Sequence, residues 1–113
     1  LVRPTIKDYA LTKVAKGSVS GAQTIDLTAG NYITATATGA ITWTFSNPPA
    51  NTAAGGFILV LTNGGNYVQT WPETVKWDGG EAPELTADGT DVLVFVTDDA
   101  GATWRGTRAM EDV

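Results

Sequence analysis

The chain of 113 residues contains no cysteine and no histidine. Without cysteine there are no disulfides to staple a fold and no thiol chemistry. Without histidine as well, the usual ligands of zinc, copper and haem are missing. So are the Ser-His and Cys-His nucleophile pairs and the commonest general base. Positive charge is scarce: seven Lys and Arg stand against twelve Asp and Glu, for a net charge of −5. The longest apolar run, Phe57-Ile58-Leu59-Val60-Leu61, falls far short of the roughly 20 residues of a membrane-spanning helix. A charged start followed by the apolar core of a secretory signal is lacking. The first residue is Leu1, as expected of a processed protein or an excerpt of a longer one. No cofactor, metal site or membrane insertion is expected.

The few charges are unevenly placed. Residues 1–20 hold Arg3, Lys7, Lys13 and Lys16 against Asp8 alone, a balance of +3, and the remainder balances at −8. An acidic body repels phosphate backbones, so nucleic acid is not an expected partner. The leader, with Pro4 and the stretch Gly17-Ser18-Val19-Ser20-Gly21, reads as an extended arm or connector over 1–20, ahead of a domain over 21–113. Arg3, Lys7, Lys13 and Lys16 are the candidates for docking that arm on an acidic partner, with a solvated linker as the bland alternative.

From Gln23 onward Thr, Val, Ile and aromatic residues crowd into short runs punctuated by Gly, Asn, Pro and Asp, the texture of strands and turns. Ile41, Trp43 and Phe45 alternate with threonines, which predicts a strand with one buried face. Phe57 to Leu61 reads as a central strand buried on both faces. Asn63-Gly64-Gly65-Asn66 reads as a hairpin turn, and so does Asp98-Asp99-Ala100-Gly101. In Asp91 to Thr97, Leu93 and Phe95 face one way and Val92, Val94 and Val96 the other. The spacing predicts an all-β fold: a jelly-roll-like antiparallel β-sandwich of about eight strands with an extended N-terminal arm. No repeat of 20–50 residues is visible, which argues against a solenoid or β-helix.

The pieces Thr24-Ile25-Asp26-Leu27, Gly30-Asn31-Tyr32, Ile41-Thr42-Trp43-Thr44-Phe45-Ser46-Asn47-Pro48 and Leu61-Thr62-Asn63-Gly64-Gly65 have a familiar order. They are followed by Thr70-Trp71-Pro72, Val75-Lys76-Trp77, Gly79-Gly80, Ala82-Pro83, Gly89-Thr90-Asp91-Val92-Leu93, Thr97-Asp98-Asp99, Thr103-Trp104 and Gly106. The series resembles a domain of tail-fibre and related virion-surface proteins of tailed bacteriophages. The resemblance covers about three quarters of the chain. It implies a virion structural component, often a homotrimer, commonly at the distal end of a longer fibre and with no enzymatic residue. Its partners would be other virion proteins and a host surface glycan or protein. A capsid decoration protein, held on the major capsid protein through the basic arm, is the alternative.

Four tryptophans punctuate the chain. Trp43 and Trp104 are expected in the core, with Trp104 against the Phe57–Leu61 strand. Trp71, Lys76 and Trp77 are the candidate receptor or partner contacts, because a ring held at the surface stacks on a sugar or anchors an interface. The same two rings could instead plug one end of the sandwich. The pairs Asp98–Asp99 and Asp88–Asp91 lack calcium-loop spacing, and turn chemistry accounts for them. A glycosidase needs two carboxylates roughly 5–10 Å apart across a cleft, and nothing singles out a pair. The chain is not expected to be an enzyme. Thr34, Thr36, Thr38, Thr42 and Thr44 form either a contact face or ordinary solvent-facing strand positions.

Overall fold

A computed structural model of the chain describes residues 10–113. Seven strands form one mixed sheet: β1 (Lys13–Asp26), β2 (Tyr32–Ser46), β3 (Gly55–Thr62), β4 (Gln69–Thr70), β5 (Val75–Trp77), β6 (Thr90–Thr97) and β7 (Trp104–Met110). Their order is β1-β2-β3-β6-β7-β5, with β4 also on β2. Helical structure among the described residues is confined to two 3-10 turns, Gly64–Asn66 and Asp78–Gly80. The all-β class therefore matches the sequence.

Strand direction does not match an antiparallel sandwich of eight. Only β3–β6 and β6–β7 are antiparallel, while β1–β2, β2–β3, β2–β4 and β5–β7 are parallel. The physical reason is coiling. Lys13 lies opposite Tyr32 and Asp26 opposite Ser46, so β1 and β2 run side by side over their whole length. A straight strand of 14 residues would be about 45 Å long, whereas the link from Leu27 to Asn31 reaches about 20 Å. The strands must therefore turn corners. The register shifts at Ala15/Gly17 and Val19/Gly21 mark those corners. Gly17 and Gly21 stand there at φ 72° and 73°, a conformation that costs glycine little. After one circuit the amides of Asn31 and Tyr32 reach the Thr12 carbonyl at 3.2 and 3.3 Å.

A further pass lays β3 and then β4 along β2, with Tyr32 opposite Ile58 and Ile41 opposite Gln69. These passes share alternating burial rather than residue identity, which is why no repeat shows in the sequence. β1 also begins at Lys13, inside the stretch expected to be an arm. Its first half lacks apolar alternation because it is held mainly by backbone pairing to β2. The Asn63–Asn66 segment is not a hairpin turn. Two of its amides bond outward, Asn63 to the Gly89 carbonyl at 2.7 Å and Gly65 to the Thr86 carbonyl at 3.2 Å, and the chain continues forward into β4. The turn after β6 does form the expected hairpin with β7.

The later half of β2 bends across the sheet formed by β3, β6 and β7. Phe45 meets Phe57, Phe95 and Trp104 edge-on at 4.9, 5.1 and 5.2 Å between ring centres. Edge-to-face aromatic pairs of this kind contribute about 0.5–1.5 kcal/mol beyond the area they bury. Trp43 and Trp104 are both in the core, and Trp104 packs on Phe57 as expected. On β2 the buried set is Ile33, Ala35, Ala37, Ile41 and Trp43, with threonines on the outside.

Candidate functional site

Two of the three candidate contact residues are brought together. β5 pairs in parallel with β7, placing Lys76 beside Arg105 and Trp77 beside Gly106. Successive strand residues point to opposite faces, so Lys76 is exposed while the Trp77 ring turns toward the core. It lies 5.4 Å from both Trp71 and Phe95. The ring fits because Gly106 has no side chain: a Cβ there would stand 2.9 Å from Phe95 and 3.2 Å from Trp77. Trp77 stays half-buried. Trp77 also borders, with Lys76, Asp78, Arg105 and Thr107, a surface cleft of about 380 Å³ floored by Val94 and Val96.

Trp71 belongs to a different hollow. It stacks on Trp43 at 5.7 Å with the planes 8° apart. With Tyr67, Gln69 and the Ala82–Leu85 segment it lines a depression of about 370 Å³. Trp71 and Trp77 are each partly buried against the core, and each borders a surface recess.

The carboxylates singled out in the sequence are occupied by donors of the chain itself, Asp98 by Arg105 at 3.4 Å. Asp99 accepts the Thr103 amide at 2.8 Å and the Thr97 hydroxyl at 3.0 Å. That Thr103 amide, foremost, holds the Asp99 carboxyl below the usual carboxylate range. Asp26 is lowered too, first by the Asn47 side-chain amide and then by Thr28. Asp91 is fully buried and accepts from the Thr86 amide (2.6 Å), the Thr86 hydroxyl (2.8 Å) and the Asp112 amide (3.2 Å). Asp88 accepts from Asn66 at 2.9 Å. Among the described residues no group of three or more acidic side chains is placed to share an ion.

The basic residues expected to dock an arm are split. Lys13 and Lys16 lie on β1, with Lys13 exposed and Lys16 half-buried, while Arg3 and Lys7 fall outside the described residues. Of the five threonines, Thr38, Thr42 and Thr44 are exposed, and Thr34 and Thr36 border β3.

Sequence reasoning missed the outward face of β3 and β6. Phe57, Leu59 and Leu61 are buried, but Ile58 and Val60 are only half-buried on the other side. Tyr32, Ile58, Val94 and Thr107 form one row across four strands, and Thr34, Val60, Val92 and Met110 form the next. The signal was the alternation of Val92, Val94 and Val96, read without knowing that Ile58 and Val60 lie opposite Val94 and Val92.

No protein-family model matches the chain, and comparison with curated proteins and with solved structures gives no match either.

Proposed function

We propose that this chain is a virion-surface module of a tailed bacteriophage, a tail-fibre or host-recognition domain that works by presenting a binding surface and assembles with itself, most simply as a homotrimer. The observation that carries this reading is the Trp77 cleft. Trp77 at one side, an apolar floor of Val94 and Val96 and a rim of Lys76, Arg105, Asp78 and Thr107 make a recess suited to a host surface glycan or a protein side chain. The order of motifs from Thr24 to Gly106 supports the same reading. In it, a coiled mixed sheet stands in place of the expected antiparallel jelly-roll sandwich. Multivalence would supply avidity, since sites on one oligomer share an effective concentration.

Labelling intact virions with serum raised against the domain tests the location. Label on the tail or its fibres is expected. Label spread over the head would replace this reading with capsid decoration, held through the basic leader. Adsorption to host cells tests the cleft. Lys76→Ala and Arg105→Ala, both at exposed positions, are expected to reduce adsorption without changing thermal stability. Trp77→Ala is a poorer probe, because its ring also packs on Trp71 and Phe95.

A further inference from the structure

The outward face of β3 and β6 ends in an apolar hollow. Leu11, Ile58, Val94 and Val96 line a recess of about 240 Å³. Leu11 is 45% exposed and Val96 47% exposed, so nothing among the described residues covers it. Contiguous exposed apolar surface of this sort marks a contact site. Cations flank it on both sides. Lys13 stands next to Tyr32 at the end of the Tyr32–Ile58–Val94 row. Arg105 and then Lys76 continue the row that contains Val96. The row positions carry no carboxylate; Asp98, just past the end of β6, lies 3.4 Å from Arg105.

Elsewhere on the same chain is a surface of the opposite character. Tyr67 and Val68, 41% and 70% exposed, follow the Gly64–Asn66 turn. Glu84 borders the same depression as Tyr67, and Asp88 is bonded to Asn66. From Trp77 to Trp104 the chain has no Lys or Arg; the cation beside Glu84 is Arg108, which donates to the Glu84 carbonyl and pairs with Glu111. This exposed pair lies beside β2, where the Val68 carbonyl accepts the Ile41 amide at 3.0 Å.

Building on the oligomeric module of the proposed function, we propose that the Tyr67–Val68 projection of one copy seats in the Leu11–Ile58–Val94–Val96 hollow of the next. Apolar surface meets apolar surface, and Glu84 and Asp88 come to face Lys13 and Arg105. Because the two surfaces differ, the contact is head-to-tail, and the threefold rotation of the proposed homotrimer would close it as a ring. The Trp77 cleft, which shares Val94 and Val96 with the hollow, then lies at the seam between copies.

Sedimentation equilibrium of the full chain tests the contact with two variants at exposed positions, Leu11→Asp and Val68→Asp. The wild type is expected to be a ring-sized oligomer and each variant a monomer with an unchanged circular dichroism spectrum. An equimolar mixture of the two variants is expected to give a dimer, because one sound projection and one sound hollow remain. A wild-type oligomer that both variants leave intact would overturn the contact while leaving the oligomeric module standing. A monomeric wild type would overturn both the contact and the oligomer, and virion labelling would then decide the location independently. If a variant loses its spectrum, the charge variants Glu84→Lys and Lys13→Glu are read in the same way. Each alone is expected to weaken the oligomer, and the pair together to restore it; failure of the pair to restore would count against the contact.

Discussion

The Trp43 indole N–H donates to the Gln69 side-chain oxygen across 2.8 Å, joining the buried centre of β2 to a strand only two residues long. Gln69 also donates its amide to the Gly64 carbonyl at 3.3 Å. One side chain therefore fixes β4 and the preceding 3-10 turn onto the tryptophan stack. Replacing Gln69 by Leu leaves the Trp43 N–H without its partner. The expected loss is about 1–3 kcal/mol, the cost of a buried unsatisfied donor. Urea unfolding followed by tryptophan fluorescence measures it.

Asp91 is the second such anchor. Its carboxylate gathers the Thr86 amide, the Thr86 hydroxyl and the Asp112 amide, tying the loop before β6 to the C-terminal residues. Asp91→Ala is expected to cost about 3 kcal/mol or more, since each bond to a charged group contributes about 1.5–3 kcal/mol. Asp91→Asn keeps the shape and part of the accepting capacity, so it is expected to cost less. Equal losses in thermal melts of the two variants would mean that the carboxylate's bonds are not what holds the loop.

Gly106 sets the seat of Trp77. A methyl group at this position meets the Phe95 ring at 2.9 Å. Gly106→Ala is expected to destabilise the chain by about 1–3 kcal/mol, as overpacking does. It should also shift the tryptophan emission to the red as Trp77 is pushed toward water. An unchanged spectrum would place the adjustment in Phe95 instead.

Acid stability follows from Asp26 and Asp99. Hydrogen bonds from Asn47 and from the Thr103 amide, respectively, lower their folded-state pKa values. A lowered folded pKa contributes stability that is present above the unfolded value and disappears as pH falls through the folded one. Stability is therefore expected to decline below the ordinary carboxylate range. In Asp99→Asn that decline should be shallower, a difference visible in urea midpoints measured from neutral pH downward.

The Arg105–Asp98 pair gives a contrasting expectation. Both side chains are exposed, at 61% and 67%, and lie 3.4 Å apart. Exposed ion pairs contribute about 0–1 kcal/mol. Asp98→Ala should leave the melting temperature nearly unchanged while freeing Arg105 at the cleft rim, so a change in cell adsorption at an unchanged oligomeric mass reports on binding.

Much of the core was legible because burial alternates with period two. Ile41 and Trp43 are inside and Phe45 joins them in the ring cluster, as their spacing required. Leu93 and Phe95 separate from Val92, Val94 and Val96 in the same way. Strand partners were not legible. Parallel pairing of β1 with β2 depends on corners at Gly17 and Gly21 and on backbone bonds, neither of which leaves an apolar pattern. Lys13 to Ser20 is mostly exposed and so looked like a connector. Lys76 and Trp77 were found because a short aromatic strand between Pro72 and Gly79 stands out. Val94 and Val96, which floor their cleft, required the register of β6 against β7.

The corners of β1 also bear on how the domain comes apart under load. Among the described strands β1 pairs with β2 alone, and it lies at one end of the strand order. The hairpin of β6 and β7 is by contrast locked beneath Phe95 and Trp104 in the ring cluster. Tension applied from the N-terminal side would peel β1 away corner by corner, at low force and over a long extension, before the aromatic centre felt any strain. A tether of this kind pays out chain first and fails last.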